Sequence, residues 1–176
     1  SIKKENDENS KIKASVDNKN NIIMSSVSEE NVSYEKFVDK LFGFSFDYPS
    51  QITGKIKERI DNDARSASRY ELKLDSNTKI YIYNTFEHNM NVEAAISEAK
   101  NDNDHAGNTQ YQIEKISSDS FKESYKTGNE IYIQKIVFLI NKSDYSGRNI
   151  IEVQSKGNIS QENINIINHI ITSFKP

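Results

Sequence analysis

The stretch that most narrows the folds open to this chain is Phe42 to Pro49, FGFSFDYP. Phe42, Phe44, Phe46 and Tyr48 recur at every second position. In an extended chain all four project from one face, while Gly43, Ser45 and Asp47 take the other. That alternation predicts a half-buried β-strand with an aromatic inner face. Pro49 lacks an N–H for a ladder and biases Tyr48 toward extended geometry, so pairing is expected to stop there.

A strand that places four aromatic rings on one side needs a core to receive them, and 176 residues supply enough chain for one domain with a sizeable interior. The hydrophobic fraction of 35% is low for a globular protein, but apolar residues concentrate after about Val32. Residues 1–31 are rich in Asn, Lys, Ser and Glu and contain no aromatic side chain, the composition of a solvated tether. A competing reading gives this segment a hairpin over residues 11–27, because Ile12, Ala14 and Val16 alternate and Ile22 to Val27 is moderately apolar. The organisation read from sequence is thus a polar extension, 1–31, followed by one domain, 32–176.

Within the domain, Tyr34 to Val38 and Phe42 to Tyr48 read as two strands. Ile52 to Ile60 reads as an edge strand guarded by Lys55, Lys57 and Arg59, and Asp61 to Ser68 as a loop. Arg69 to Leu74 and Lys79 to Phe86 form a hairpin across a turn at Asp75 to Asn77. Asn91 caps a helix in which Val92, Ala95, Ile96 and Ala99 share one face and Glu93 lies in the first turn, ending near Asp102. Beyond a polar loop, Asp102 to Asn108, three strands follow: one through Tyr111, Ile113 and Ile116, the run Ile131 to Ile140, and Ile150 to Val153, with turns near Gly128 and Gly147. The middle run is apolar on both faces, which predicts a central strand covered on both sides. Ser160 opens a closing helix with Ile164, Ile167, Ile171 and Phe174 in one stripe, widened by Ile166 and Ile170. The expected fold class is α+β, an antiparallel sheet flanked by helices.

A Gly-Phe-x-Phe-x-Tyr-Pro strand near the start, a hairpin, a short helix, three more strands and a closing helix ending in Ser-Phe-Lys resembles the PsbP-like proteins. The matching residues are Gly43, Phe44, Phe46, Tyr48 and Pro49, with Ser173, Phe174 and Lys175 at the other end. The likeness covers roughly residues 33 to 176, and its motifs are packing motifs. It implies an α-β-α sandwich around an antiparallel sheet, in a family that includes bacterial secreted or lipid-anchored proteins. An Asn-, Ile- and Lys-rich usage is that of an AT-rich bacterial genome.

The chemistry the residues exclude is broad. The chain has no cysteine, so disulfides, thiolate nucleophiles and Cys-ligated zinc are absent. There is no GxSxG, HExxH, Walker-type or GxGxxG pattern, and six scattered glycines make no phosphate cradle. A net charge of −3 argues against nucleic acid as a partner. No apolar run approaches the roughly 20 residues that span a bilayer.

The metal candidates are Asp102, Asp104 and His105, two carboxylates and an imidazole within four residues. They fail the EF-hand pattern: with Gly107 in sixth place, Ala106 is fifth and Ile113 twelfth, neither offering an oxygen side chain. A solvated loop is the competing reading. Tyr81, Tyr83 and Tyr132 are ligand-stacking candidates, set against tyrosines packed beneath a helix with their hydroxyls at the rim. His88 follows Glu87 at a strand end, and His169 lies on the polar side of the last helix with Asn165 and Thr172. An enzyme would need a site built from dispersed carboxylates such as Glu71, Glu87 and Glu130.

The reading that follows is a non-catalytic, exported binding module with no cofactor and with a protein or cell-envelope partner. It would meet a membrane only through an N-terminal anchor. A tether of about 30 residues spans roughly 30 Å, at about 5–6 Å × √n, which suits a lipid-anchored protein. The codons before Ser1 are expected to encode a basic start, a short apolar core and small residues closed by a lipid-bearing Cys or an ordinary cleavage site. The alternatives are a hydrolase-like enzyme and a cytoplasmic adaptor.

Overall fold

The computed structural model describes residues 32–40, 42–52, 57–58, 66–87, 90–142 and 146–176. In chain order the elements are β1 (Tyr34–Val38), β2 (Ser45–Pro49), β3 (Lys57–Glu58), β4 (Ser66–Lys73), β5 (Thr78–Phe86), α1 (Val92–Ala106), β6 (Thr109–Lys115), β7 (Ser120–Lys126), β8 (Ile131–Asn141), β9 (Ser146–Lys156) and α2 (Gln161–Ser173). Among the described residues β3 to β9 form a seven-stranded sheet in the order β3-β4-β5-β9-β8-β7-β6, and β1 and β2 form a separate pair. Every pairing is antiparallel. The antiparallel α+β class expected from sequence is borne out.

The pleat of the long central strands sorts side chains into two cores. On one face Ile80, Ile82, Ile136, Ile151 and Val153 pack with Ile166, Ile167 and Ile170 of α2, with Phe174 just after it, with Phe46 of β2 and with Phe44 just before that strand. On the other, Phe121, Val137, Leu139 and Ile150 receive Val92, Ala95 and Ala99 of α1. These are called the α2 face and the α1 face below. Two helices and one hairpin therefore sandwich the sheet, and β5 reaches the far edge strand β6 only by way of α1, which crosses the intervening strands.

Several boundaries differ from those expected, each for a local reason. Phe42 precedes β2, because Gly43 takes a left-handed φ of 77° that breaks the extended run. Phe44 and Phe46 are nonetheless fully buried and Pro49 ends the strand. Ser66 to Ser68, read as loop, begin β4. Of the expected edge strand Ile52 to Ile60, Lys57–Glu58 pairs with β4, and most of the remainder lies outside the described residues, as does the whole 1–31 extension with its alternative hairpin. One strand was missed: Ser120 to Lys126, SFKESYK, pairs between β6 and β8 and makes a four-stranded meander where three strands were expected. Its inward positions hold Phe121, Glu123 and Tyr125, so a buried carboxylate interrupts the apolar alternation. Gly147 lies inside β9 rather than in a turn.

Ser160 caps α2 as expected, its hydroxyl accepting from the Asn163 N–H at 3.2 Å. The buried stripe is Ile166, Ile167 and Ile170, followed by Phe174, whereas Ile164 and Ile171 are only half-buried. Burying four such side chains contributes about 1.5–3 kcal/mol each. The sum, roughly 10 kcal/mol, is comparable to the whole net stability of a domain. Ile167, at 0% exposure, sits at the centre of that contact. Ile167→Asp should abolish the cooperative thermal transition followed by circular dichroism, and a mutant that melts within a few degrees of wild type would refute the packing scheme.

Candidate functional site

The α1 face is apolar only where α1 covers it. Beyond the helix, the direct cross-strand register lines up Glu71, Tyr81, Glu152, Lys135, Glu123 and Ile113 in one row from β4 to β6. Directly paired residues in antiparallel strands share a face, so these side chains are neighbours. Glu123 and Glu152 are 5% and 7% exposed, a position that carboxylates occupy only when paired.

The pairing is complete. Lys135 Nζ lies 3.2 Å from Glu123 Oε1. Glu123 Oε2 accepts from Asn103 Nδ2 at 3.2 Å and from the Tyr111 hydroxyl at 3.4 Å. Glu152 Oε2 accepts from the Tyr83 hydroxyl at 2.8 Å, and its Oε1 accepts from Gln154 Nε2 at 2.6 Å. Each carboxylate oxygen thus meets a donor. The cations are also shielded by rings: Lys135 Nζ is 5.4 Å from the Tyr125 centroid, and Arg69 Cζ is 4.7 Å and 5.3 Å from those of Tyr81 and Tyr83. Toward the β4 edge, Lys79 approaches Glu71 at 3.9 Å and leaves its side chain 40% exposed.

Helix α1 is placed so as to join this network. Asn91 caps it, accepting from the Ala94 N–H at 2.8 Å, and Gly107 ends it with a left-handed φ of 65°. At its start Glu93 pairs with Lys115, and in its middle Glu98 meets Arg148 at 2.6 Å, while Glu87 meets the same guanidinium at 2.7 Å. Near its end Asn103 spans the Ala99 carbonyl and Glu123, and accepts from Asn108 Nδ2 at 2.8 Å.

The residues singled out from sequence separate into those the fold assembles and those it disperses. Tyr81 and Tyr83 share the α1 face with Arg69 between them. Tyr132 lies on the opposite face, since it is an even-numbered position of β8 with Ile136, so the three tyrosines make no common stacking site. Asp102, Asp104 and His105 are not a loop: α1 continues to Ala106. A helix turns about 100° per residue, so Asp102 and Asp104 point to different sides, and no group of three metal-ligating residues occurs among the described residues. Glu71, Glu87 and Glu130 are brought to three places, each beside its own cation: Lys79, Arg148 and Lys126. His169 stacks on Tyr34 with centroids 3.6 Å apart and lies 3.9 Å from Asp47. His88 falls outside the described residues. Glu123, Lys135 and Glu152 were missed; a charged residue at i within a β-run of apolar i±2 neighbours, as Lys135 is between Ile133 and Val137, was the available signal.

No family model matches the chain, and no curated protein matches it by sequence. Solved structures do. The Ran-binding protein Mog1p of Saccharomyces cerevisiae superposes with a TM-score of 0.50 at 9% identity, over 82% of this chain and 96% of that one. At that identity the likeness is one of fold: an α+β sandwich related in architecture to the PsbP-like proteins.

The network also sets an alkaline limit on stability. Burial raises the pKa of Tyr83, and the charge of Glu152 raises it further; burial and then Glu123 do the same for Tyr111. For Lys135 burial works against the ammonium, but the charges of the Glu123 and Glu152 carboxylates outweigh it and its pKa is raised. All three hold their protons in the folded state at a pH where the unfolded chain, with Tyr near 10 and Lys near 10.4, is releasing them. Their contribution is therefore intact below about pH 10 and is lost as pH rises, by up to about 1.4 kcal/mol per pH unit for buried Tyr83 and Lys135 and by less for the more accessible, solvent-screened Tyr111. Urea unfolding between pH 9 and 11 should show this fall, made shallower by Tyr83→Phe; stability that is level or rising over that range would contradict the assignment.

Proposed function

We propose that this chain is a non-catalytic binding module of the PsbP-like type, that its partner is a protein, and that the β4–β5 end of the α1 face, where Arg69 lies over the buried Tyr81 ring and the partly buried Tyr83 ring beside Glu71 and Lys79, forms the contact surface. The carrying observation is the completeness of the Glu123–Lys135–Glu152 network. Its carboxylates are committed to donors, which suits a rigid platform better than a proton-transfer site. Arginine is among the residues that anchor protein interfaces, and here the rigid rings and charged row beneath Arg69 lower the entropic cost of binding. That a protein of the same fold is named for binding another protein supports the partner class. The net charge of −3 gives no reason to invoke nucleic acid. The polar, aromatic-free residues 1–31 support the further reading that the module is exported and held to an envelope membrane by an N-terminal anchor.

The test is site-specific photo-crosslinking of the full-length protein in its native cells. A photoreactive residue at Lys79, on the rim of the α1 face, should give a discrete protein adduct that Arg69→Ala reduces at least tenfold, while the same residue at Glu162 on α2 should give none. Equal labelling from both positions, or none from Lys79, would remove the α1 face as the contact surface. Protease treatment of intact cells should degrade the protein if it is exported, and full protection would place it in the cytoplasm.

A further inference from the structure

Strand β6 closes one end of the seven-stranded sheet, and among the described residues no strand pairs with its outer edge. The pairing with β7 on its inner side shows which backbone groups that leaves bare. The Ile116 N–H donates inward to the Ser120 carbonyl at 3.0 Å. By the alternation of an antiparallel ladder Gln112 and Glu114 also turn toward β7, whereas Ile113 and Lys115 turn their N–H and C=O outward. Thr109, Gln112, Glu114, Lys115 and Ile116 are exposed, Ile116 at 55%. Strand edges in folded proteins are ordinarily guarded by charge, proline or a bulge. Here the bulge is confined to the first half of the strand, between Thr109 and Gln112, where Gln110 takes a left-handed φ of 55°. The two charges that follow are engaged within their own chain: Glu114 lies 3.2 Å from Lys122, and Lys115 pairs with Glu93 of α1. Residues 112–116 therefore present a regular, solvent-facing edge with no guard of its own.

We propose that this edge is where two copies of the protein meet, β6 pairing antiparallel with β6 of a second copy about a two-fold axis at Ile113. The stretch is complementary to itself in that register and in no neighbouring one. Ile113 exchanges both backbone hydrogen bonds with Ile113 of the second copy, as an outward-turned residue on the axis does. Gln112 falls opposite Glu114, an amide donor facing a carboxylate, and Tyr111 falls opposite Lys115, so no like charges meet. An axis at Lys115 would set two ammoniums face to face. An axis at Glu114 would oppose two carboxylates on residues whose backbone groups turn inward. A foreign strand would reach the same N–H and C=O groups, but symmetry brings this complementary set of side chains only from a second copy. The pairing joins two seven-stranded sheets into one and takes Ile116 partly out of water. So short an edge buries less than the roughly 1,200 Å² of a stable interface, so the dimer is weak, with a Kd on the order of 100 μM. The edge lies at the far end of the sheet from β4 and stands or falls separately from the Arg69 surface.

Sedimentation equilibrium of the full-length protein from about 20 μM to about 1 mM should show monomer passing to dimer with that constant. Lys115→Pro deletes an outward N–H and leaves the inward ladder intact, so it should weaken the dimer at least tenfold while melting within a few degrees of wild type. Because the chain contains no cysteine, single substitutions read the register. Ile113→Cys should give a disulfide-linked dimer under mild oxidation with copper phenanthroline, since the Cα atoms of a hydrogen-bonded pair lie about 5.5 Å apart. Lys115→Cys should not, because in this register the two copies of that residue are offset by about 14 Å along the strands. Wild-type protein that is monomeric at about 1 mM would overturn the proposal, as would Lys115→Pro dimerising like wild type, or equal crosslinking from both cysteines. Oxidation in the native cells that links Ile113→Cys only to a chain of another mass would give the edge to a foreign strand and overturn the second copy. Should a substituted chain fail to fold, sedimentation of the wild type decides alone.

Discussion

Alternate residues of a β-strand face opposite ways, and in this protein that constraint runs through two adjacent eleven-residue strands, β8 and β9. Both faces of these strands are buried, so every position must be compatible with an interior. The α2 face meets the demand with isoleucine and valine under Ile167, Ile170 and the β1–β2 aromatics. The α1 face meets it in two ways: with Val137 and Ile150 beneath the helix, and with Lys135 and Glu152 where the helix ends. Everything else in the architecture, including the long crossover of α1 from β5 to β6, follows from having two faces to cover on one sheet.

Burying Lys135, Glu123 and Glu152 together is a different solution from an apolar core. Removing a carboxylate or an ammonium from water costs several kcal/mol in a real protein interior, and Coulomb attraction compensates only when hydrogen bonds satisfy the remaining lone pairs. Here they do, from Tyr83, Tyr111, Asn103 and Gln154. Such a network adds little net stability relative to an apolar row, but it fixes register: a one-residue slip of β7, β8 or β9 would move that strand's charge to the isoleucine side, away from its partners. It also anchors α1 through Asn103 and holds Tyr83 beneath Arg69, so the packing of the row and the shape of the proposed contact surface depend on each other.

How much of this was legible in the sequence follows from what the residues signal locally. The β4–β5 hairpin, both helix caps and the α2 stripe were readable because Asn91, Ser160 and the isoleucine spacing act within a few residues. The β7 strand was not, because its inward positions alternate Phe121, Glu123 and Tyr125, and a buried glutamate looks like a solvated one until Lys135 is placed opposite it. The same limit hid the site. Glu71, Glu87 and Glu130 stand out in sequence but have local ion partners, whereas Glu123 and Glu152 gain meaning only from pairing across three strands. Asp102 and Asp104 misled for the converse reason: Gly107, read as part of a loop, is the cap that carries the helix through them.

The account rests on Glu123, Lys135 and Glu152 being a single coupled unit, and a double-mutant cycle on Lys135→Met and Glu123→Gln measures that coupling directly. Urea unfolding should show Lys135→Met losing about 3 kcal/mol, because it removes the ion partner of buried Glu123 and the positive charge that faces Glu152 across the strands. The double mutant should recover at least about 1 kcal/mol relative to the sum of the single losses. Additive single effects, or a Lys135→Met variant within about 0.5 kcal/mol of wild type, would mean that the charges are solvated and that the row does not organise the α1 face.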